Sequence, residues 1–532
     1  MTGILAYTYP HAHFPRRFLP HPTVSEQLNI FPYFLGQRLE EGLGDRRALL
    51  TAEGALSYSE VAALSARYAN LLAESDVRPE ERVLIALPDG PDYVGALFGI
   101  TRMGAVVVMV NPHLKPDQIR YLYEYTHARA ALVGSQTMSE FEAALAGAQH
   151  RPRLIEVGGH GHAERIAALP DQHPIFASHH DDAAIWLFSG GTTGRAKAVV
   201  QSHRSFVNTT KLYGHALLDI GPEDVTLSVP KLFFGYATGT NLLFPFSVGA
   251  TAALFPERCT PETLFARIAA FRPTILVNVP TMVNHLVSHP DAGNQDLSCL
   301  RLATSAGEAL PAELHRKWND LFGAPLLDGL GTAEMWHVFI SNRPDDVRPG
   351  TLGKVVPGFE VKACDDDGSE VGPDEVGHLW VRGDSLAKGY WRQAEKTRAA
   401  FRGEWYVSGD MISVDQAGYV TYCGRADDML KVSGKWLSPT ELEDCLLEHA
   451  AVREVAVIGA STADGLVKPR AFVIPAQEAA ADDALAAELQ AWARQRLEPY
   501  KYPREVVFME ELPRTHLDKV DRGALGRKAL DR

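Results

Sequence analysis

The stretch ERVLIALPDGPDYVGALFGITRMGAVVVMVNP (81–112) changes its apolar rhythm twice. Residues 83–87 form a short unbroken apolar run, 91–103 carry apolar positions at helical spacing, and 105–110 are a second continuous run. Short continuous runs suit strands buried on both faces, and the 3.6-residue period between them suits a crossover helix, so the stretch predicts a β-α-β unit. AAIWLFS (183–189) is a further buried-strand run that breaks into glycines. PTILVNVP (273–280) and LRLATSAGEALP (300–311) repeat the strand-then-loop pattern. Strands alternating with helices predict a mostly parallel sheet covered on both faces.

The texture changes after about Pro349. FEVKACDDDGSEVGPDEVGHLWVRG (359–383) alternates short strands with Asp-Gly and Gly-Pro turns, the pattern of a small antiparallel sheet or barrel. Beyond Arg425 the pattern becomes compact α+β. ELEDCLLEHA (441–450) and LAAELQAWARQRL (485–497) read as helices, and VREVAVIGA (452–460) and KPRAFVIP (468–475) as strands. The boundary falls in GRADDMLK (424–431), dividing the chain into 1–426 and 427–532. No internal repeat is present, and the Ala-rich stretch near 477–490 is too short to count as low complexity.

Bulk properties narrow the function. The 532 residues exceed what one core organises, so two or more domains are expected. With 46% apolar and 22% charged residues the composition is that of a soluble globular protein. A net charge of −14 argues against nucleic-acid binding driven by phosphate neutralisation. No apolar run approaches the roughly 18 residues of a membrane span, and the first residues lack a signal-peptide pattern. Five scattered cysteines (Cys259, Cys299, Cys364, Cys423, Cys445) form no C-x-x-C pair, which fits a reducing cytoplasm. His11 with His13, and His179 and His180 before Asp181 and Asp182, lack a recognisable ligand spacing and read as surface polar residues.

Candidate chemistry lies in five segments. SGGTTGRAK (189–197) follows a buried strand; its glycines allow close backbone approach to phosphate oxygens, and Thr192, Thr193 and Lys197 add side-chain donors. No G-K-[ST] follows at the Walker spacing. DGLGTAEMWH (328–337) sets a glycine turn before Glu334, a candidate magnesium carboxylate. WYVSGD (405–410) ends an apparent strand in an exposed carboxylate, Asp410, suited to a ribose diol. GRADDMLKVSGKW (424–436) supplies Arg425 and the pair Asp427 and Asp428. LPRTHLDKVDRGALGR (512–527) taken alone is a charged loop entering a short helix.

In order and spacing these segments resemble the core motifs of the adenylate-forming superfamily, which includes acyl-CoA ligases, peptide-synthetase adenylation domains and luciferases. The resemblance runs from about Tyr58 to Arg527. KLFFGYATG (231–239) and SNRPDDVRPGTLGKVVPG (341–358) look like its benzoate-CoA ligase branch. The resemblance implies an α/β fold: a large N-terminal domain of two α/β subdomains plus a β-barrel, and a small mobile α+β C-terminal domain. It implies two steps: a carboxylic acid and Mg²⁺·ATP give acyl-AMP and pyrophosphate, then coenzyme A displaces AMP. By matching, Lys519 serves the first step, Lys431 and Gly434 the second, and Asp427 is the hinge. Asp410 and Arg425 would hold the ribose, while Gly307, Glu308, Asp328 and Gly329 would line the adenine. Among the nucleotide-binding positions, Ala333 would stand near the α-phosphate and Thr332, one position earlier, would point elsewhere if the turn is unchanged, while Glu334 holds magnesium. Phe234, Gly235, Tyr236, Ala306, Gly331 and His337 form the acyl pocket, Gly235 and Gly331 leaving it roomy. Phe234 and Tyr236 also read as plain core aromatics, and His337 as a structural histidine. The oligomeric state stays open, a homodimer included.

The departures from the family pattern fall together. Ala333 stands where the family has threonine, Ala196 and Ala198 flank Lys197 in place of proline and glycine, and Gly190 replaces a common serine. Asp518 replaces a glycine beside Lys519, placing a carboxylate next to the cation meant for ATP. The 424–443 segment keeps its matched residues. This one-sided pattern resembles the non-adenylating acyl-CoA ligases of platensimycin-type diterpenoid biosynthesis, and implies weak or lost adenylation and a separate enzyme supplying the acyl-adenylate. Two alternatives stand beside it: an ordinary two-step ligase or carrier-protein-loading enzyme, and a binding protein for acyl-AMP without catalysis.

Overall fold

The computed structural model describes residues 25–189, 195–427, 429–432, 435–461, 467–476, 479–514 and 520–530. As the apolar runs predict, strands Arg82–Ala86 and Val106–Met109 flank the helix Pro91–Arg102. That helix starts at a proline in its first turn, and Gly104, at φ 75°, turns the chain out after Met103. Other helices carry their start signals in the sequence. Ser57 accepts from the Glu60 N–H at 3.2 Å while the Glu60 carboxylate accepts from the Ser57 N–H at 2.7 Å, a reciprocal cap on Tyr58–Ala73.

The first sheet has six strands, ordered Arg153–Val157, Ala130–Gly134, Arg82–Ala86, Val106–Met109, Ala183–Ser189 and Lys197–Ser202. All neighbours are parallel except the last two, which form an antiparallel hairpin with Ser189 opposite Lys197. The second sheet has nine strands. Its centre is parallel, and its edge nearest the site runs Ile275–Asn278, Leu302–Ala306, Leu326–Gly331, then antiparallel Val338–Ser341 and Lys354–Val355. One apolar core joins the two sheets, with Val83, Ile85, Val107, Ile185, Leu302 and Leu327 almost fully buried in it.

Five antiparallel strands follow, as the turn-rich texture predicts, built around the long strand Trp405–Val414. Their ladder does not return to its first strand: Phe401–Arg402 and Val420–Arg425 both end it on the far side of Trp405–Val414. Among the described residues beyond Arg425, the strands pair only among themselves. Leu430–Val432 pairs with Lys435–Leu437, and Val452–Ser461, Val467–Pro475 and Glu505–Phe508 form a separate sheet. The helices Pro439–Leu447 and Asp483–Arg496 pack on it around Leu442, Leu446 and Leu489.

Candidate active site

Carboxyl ends of strands from both large sheets converge with the antiparallel sheet. The hairpin Ala183–Ser189/Lys197–Ser202 delivers Lys197 at the first residue of its return strand. Its anchoring explains why alanine is tolerated on both sides. The Tyr121 hydroxyl donates to the Ala196 carbonyl at 2.8 Å, the Ala198 N–H donates to the Tyr125 hydroxyl at 3.3 Å, and Trp391 N–H donates to the Ala198 carbonyl at 3.0 Å. Ala198 lies in regular strand and is fully buried. Burial holds the Lys197 ammonium below its ordinary pKa, with Glu334 opposing that shift.

Glu334 sits in a one-turn helix, Ala333–Met335, 3% exposed. Its backbone is pinned on both sides, since Gln201 Nε2 donates to the Ala333 carbonyl at 2.7 Å and Ala387 N–H to the Glu334 carbonyl at 2.8 Å. Glu334 Oε1 accepts from the Tyr390 hydroxyl at 2.7 Å and lies 3.9 Å from Lys197 Nζ. A single buried carboxylate beside the phosphate strand fits magnesium, which takes one or two protein carboxylates and completes its shell with water and nucleotide phosphates. Thr332 caps the same turn, its Oγ1 accepting from the Met335 N–H at 3.3 Å. Ala333 therefore presents a methyl group where a hydroxyl was expected, and the neighbouring hydroxyl faces the turn.

Asp410 lies in the middle of Trp405–Val414, buried and not at the exposed strand end that the sequence predicts, because the strand continues in pairing with Val420–Arg425; it stands directly opposite Arg425. It is 6% exposed; Oδ1 accepts from Arg425 Nη1 at 3.1 Å and from the Tyr422 hydroxyl at 3.4 Å, and Oδ2 accepts from the Ser408 hydroxyl. A Cβ on Gly409 would lie 2.4 Å from Arg425 Nη2, so the guanidinium packs over a residue with no side chain. Ala306 and Gly329 are register partners at the ends of adjacent strands. Gly307 follows at φ 93°. The Glu308 carboxylate turns to the start of the helix Pro280–Val287, accepting from Thr281 N–H at 3.1 Å and its hydroxyl at 2.7 Å. Burial pushes the Asp328 carboxyl well above the ordinary carboxylate range, favouring its protonated form.

The acyl candidates form two walls. One is Phe234 to Tyr236, at the start of a short helix; Phe234 is 38% exposed, which excludes the core reading for it, while the Tyr236 hydroxyl donates to Thr304 Oγ1 at 2.6 Å. The other is the tight turn between Leu326–Gly331 and Val338–Ser341. Trp336 adopts φ 67°, a rare conformation for a bulky residue, and aims the following His337 inward. His337 is 3% exposed among the rings of Tyr213, Tyr236 and Phe244. Its Nε2 lies 3.1 Å from the Tyr236 carbonyl and 3.0 Å from Thr240 Oγ1. A carbonyl only accepts, so Nε2 carries the proton; burial pushes the pKa down to about 4, and the ring is neutral. Its Nδ1 has no hydrogen-bond partner among the described residues. The expected extra room at the glycines is not found. A Cβ on Gly331 would sit 2.5 Å from the His337 carbonyl oxygen, and one on Gly235 would meet Leu187 at 3.2 Å and Trp336 at 3.4 Å. Strand approach and packing already fill both places.

Asp427 is exposed in the turn directly after Val420–Arg425, and Lys431 lies in the strand Leu430–Val432. Thr192, Thr193, Asp428, Gly434, Asp518 and Lys519 lie outside the described residues. The ligand atoms of His179, His180 and Asp181 gather within 4.8 Å of one another, yet Arg204 already supplies a cation there, bonded to His180 Nε2 and 3.2 Å from Asp181 Oδ1. Sequence reading missed Tyr390, Gln201, Tyr121 and Tyr125; the only signal for Tyr390 was an aromatic after a glycine in AKGYW (387–391).

Comparison with known proteins follows this geometry. The pattern of the AMP-binding enzyme family matches residues 37–391, and that of the AMP-binding enzyme C-terminal domain matches 441–519. The benzoate–CoA ligase of Thauera aromatica is 38% identical over 508 residues, covering 94% of this chain and 96% of that protein. The crystal structure of the anthranilate CoA ligase AuaEII in complex with anthranoyl-AMP superimposes with a TM-score of 0.92 at 35% identity, covering 96% of this chain and 99% of the other. A benzoate CoA ligase from Burkholderia xenovorans LB400 gives 0.87 at 38% identity, covering 94% and 99%.

Proposed function

The chain belongs to the AMP-binding enzyme family, and from that premise we propose that it forms an aryl-CoA thioester from an acyl-adenylate and coenzyme A, with the preceding adenylation weak or lost. Aryl-CoA ligation through acyl-AMP is supported by benzoate– and anthranilate–CoA ligases along nearly the whole chain. In the reading proposed here, Asp410 and Arg425 grip the ribose, and Lys197 with Thr192 and Thr193 meets the phosphate. The neutral His337 and Tyr236 bound the acyl group. Magnesium held by Glu334 would neutralise nucleotide phosphate charge. The 427–532 portion swings about Asp427, exchanging Lys519 for the Lys431–Gly434 loop, so one pocket serves two steps.

The observation that carries weak adenylation is the turn at Thr332. Its hydroxyl oxygen accepts from the Met335 N–H, which holds that side chain as the cap of the turn, and Ala333, the position matched to the family threonine, offers only a methyl group. One missing donor at a phosphoryl or carbonyl transition state typically costs roughly 10²–10³ in rate. Asp518 beside Lys519 adds a second cost, because a carboxylate repels the triphosphate that the lysine must meet. A separate adenylating enzyme would then supply the acyl-AMP. An ordinary two-step aryl-CoA ligase is the second reading, favoured by the retained Glu334 and Lys197 pair. Two assays separate them: pyrophosphate release from benzoate or anthranilate with Mg²⁺·ATP, and thioester formation from the corresponding acyl-AMP with coenzyme A. Fast thioester formation with negligible pyrophosphate is expected; brisk pyrophosphate release leaves the two-step ligase.

A further inference from the structure

Lys197 and Glu334 come from different elements, and a single side chain touches both. Tyr390 is 6% exposed, and its hydroxyl donates to Glu334 Oε1 at 2.7 Å. Its ring centroid lies 3.9 Å from Lys197 Nζ. The segment that carries it is bonded along the phosphate strand itself: Lys388 N–H donates to the Val200 carbonyl at 2.9 Å and Val200 N–H to the Gly389 carbonyl at 3.0 Å. The Tyr390 N–H is held by Thr397 Oγ1 at 3.0 Å, and the ring meets Phe401 edge-on at 5.3 Å.

This placement solves a physical problem. A buried carboxylate and an ammonium left 3.9 Å apart tend to close into a direct contact pair that competes with any ligand for both groups. Here the phenol hydrogen occupies a lone pair of the carboxylate, and the ring face draws the ammonium toward itself. Resting on the reading of Glu334 and Lys197 as the metal- and phosphate-facing pair, we propose that Tyr390 is a positioning residue that fixes both groups, apart, before nucleotide arrives.

The test is ATP binding by calorimetry with and without Mg²⁺, on the full chain. The quantity read is the factor by which Mg²⁺ tightens ATP. Tyr390→Phe keeps the ring and removes the donor, so that factor should fall about tenfold while Mg²⁺-free affinity moves less than about twofold, the scale seen when a partner of a metal ligand is lost. Tyr390→Leu should also weaken Mg²⁺-free binding, because Lys197 loses its ring. In a Glu334→Gln background, Tyr390→Phe should produce no further fall. An unchanged factor in Tyr390→Phe, or an equal loss with and without Mg²⁺, overturns the proposal. A Glu334→Gln protein that keeps the full Mg²⁺ factor overturns the metal reading instead, and native protein showing no Mg²⁺-dependent ATP binding overturns both. If Tyr390→Phe does not fold, Thr397→Val releases the Tyr390 backbone and should lower the factor by a smaller amount; an unchanged factor there overturns the proposal equally.

Discussion

The Asp410 end, proposed to hold the ribose, and the Thr332–Glu334 turn, proposed to meet the α-phosphate, are built with unequal completeness. At Asp410 both carboxylate oxygens are engaged, by Arg425, Tyr422 and Ser408, and a glycine clears the space the guanidinium needs. At the Thr332–Glu334 turn the backbone is held as firmly, yet the side chain facing the expected α-phosphate position is a methyl group. Both places are hydrogen-bonded into the fold, and what differs is the chemistry of the side chains they present. In the proposed reading, the same fold would keep the nucleotide at one end and offer one donor fewer for adenylation at the other.

The comparison breaks most visibly if the complete end proves dispensable. Asp410→Ala removes the acceptor for two charge-assisted hydrogen bonds, each about 1.5–3 kcal/mol, so acyl-AMP binding should weaken about 10³-fold. Fluorescence or calorimetric titration with AMP or an acyl-AMP measures it, and a loss of only a few-fold would mean that the ribose is held elsewhere. The incomplete end should respond in the opposite direction. Ala333→Thr with Asp518→Gly should raise pyrophosphate release from acid and Mg²⁺·ATP by roughly 10² while thioester formation from acyl-AMP changes little. A rise in both steps together would place the two residues outside the adenylation step.

Smaller changes sharpen the contrast. Gly409→Ala drives a methyl group into Arg425 Nη2, 2.4 Å from the built Cβ, and should weaken AMP binding about tenfold by loosening one charged hydrogen bond. Unchanged affinity would show that the guanidinium has another seat. The acyl wall should contribute only a pH term. His337 in the folded protein has a pKa of about 4, below its ordinary value of 6.5, so the unfolded chain binds the extra proton between those limits. Its contribution to stability is complete above pH 6.5 and is lost as pH falls toward 4. His337→Gln should flatten the dependence of the urea midpoint on pH in that window, and an unaltered slope would argue against a buried neutral ring.

The fold was largely readable because continuous apolar runs such as 83–87 and 183–189 leave a chain little choice but a doubly covered strand. Asp410, Arg425 and Glu334 could be singled out as candidates because their motif neighbours stand in fixed order, although Asp410 is buried in mid-strand and not at the exposed strand end expected. The role of Gly331 was misjudged for a physical reason: a sequence marks where a side chain is missing, not what fills the gap, and here it is the His337 backbone. The direction of the Thr332 hydroxyl was readable only as a conditional, since it depends on where a one-turn helix begins. Tyr390 left only the faint mark of an aromatic after a glycine, because its contacts reach across 56 and 193 positions of chain to Glu334 and Lys197.

Those filled gaps also bear on how this protein can acquire new substrates. Positions 329 and 331 face main-chain oxygens at 2.7 and 2.5 Å, and a Cβ at position 239 would strike the His337 ring at 2.4 Å. The proposed acyl wall at Gly331, and the adjoining strand at Gly329, are thus closed by backbone and a wedged imidazole, and single substitutions at these glycines carry a folding penalty before they alter selectivity. Phe234, exposed on the opposite wall, has room to vary. Selection for a different acid therefore has an open route on that side and a closed one on the other, and libraries built at 234 and 236 should yield more folded, altered-specificity variants than libraries built at 329 and 331.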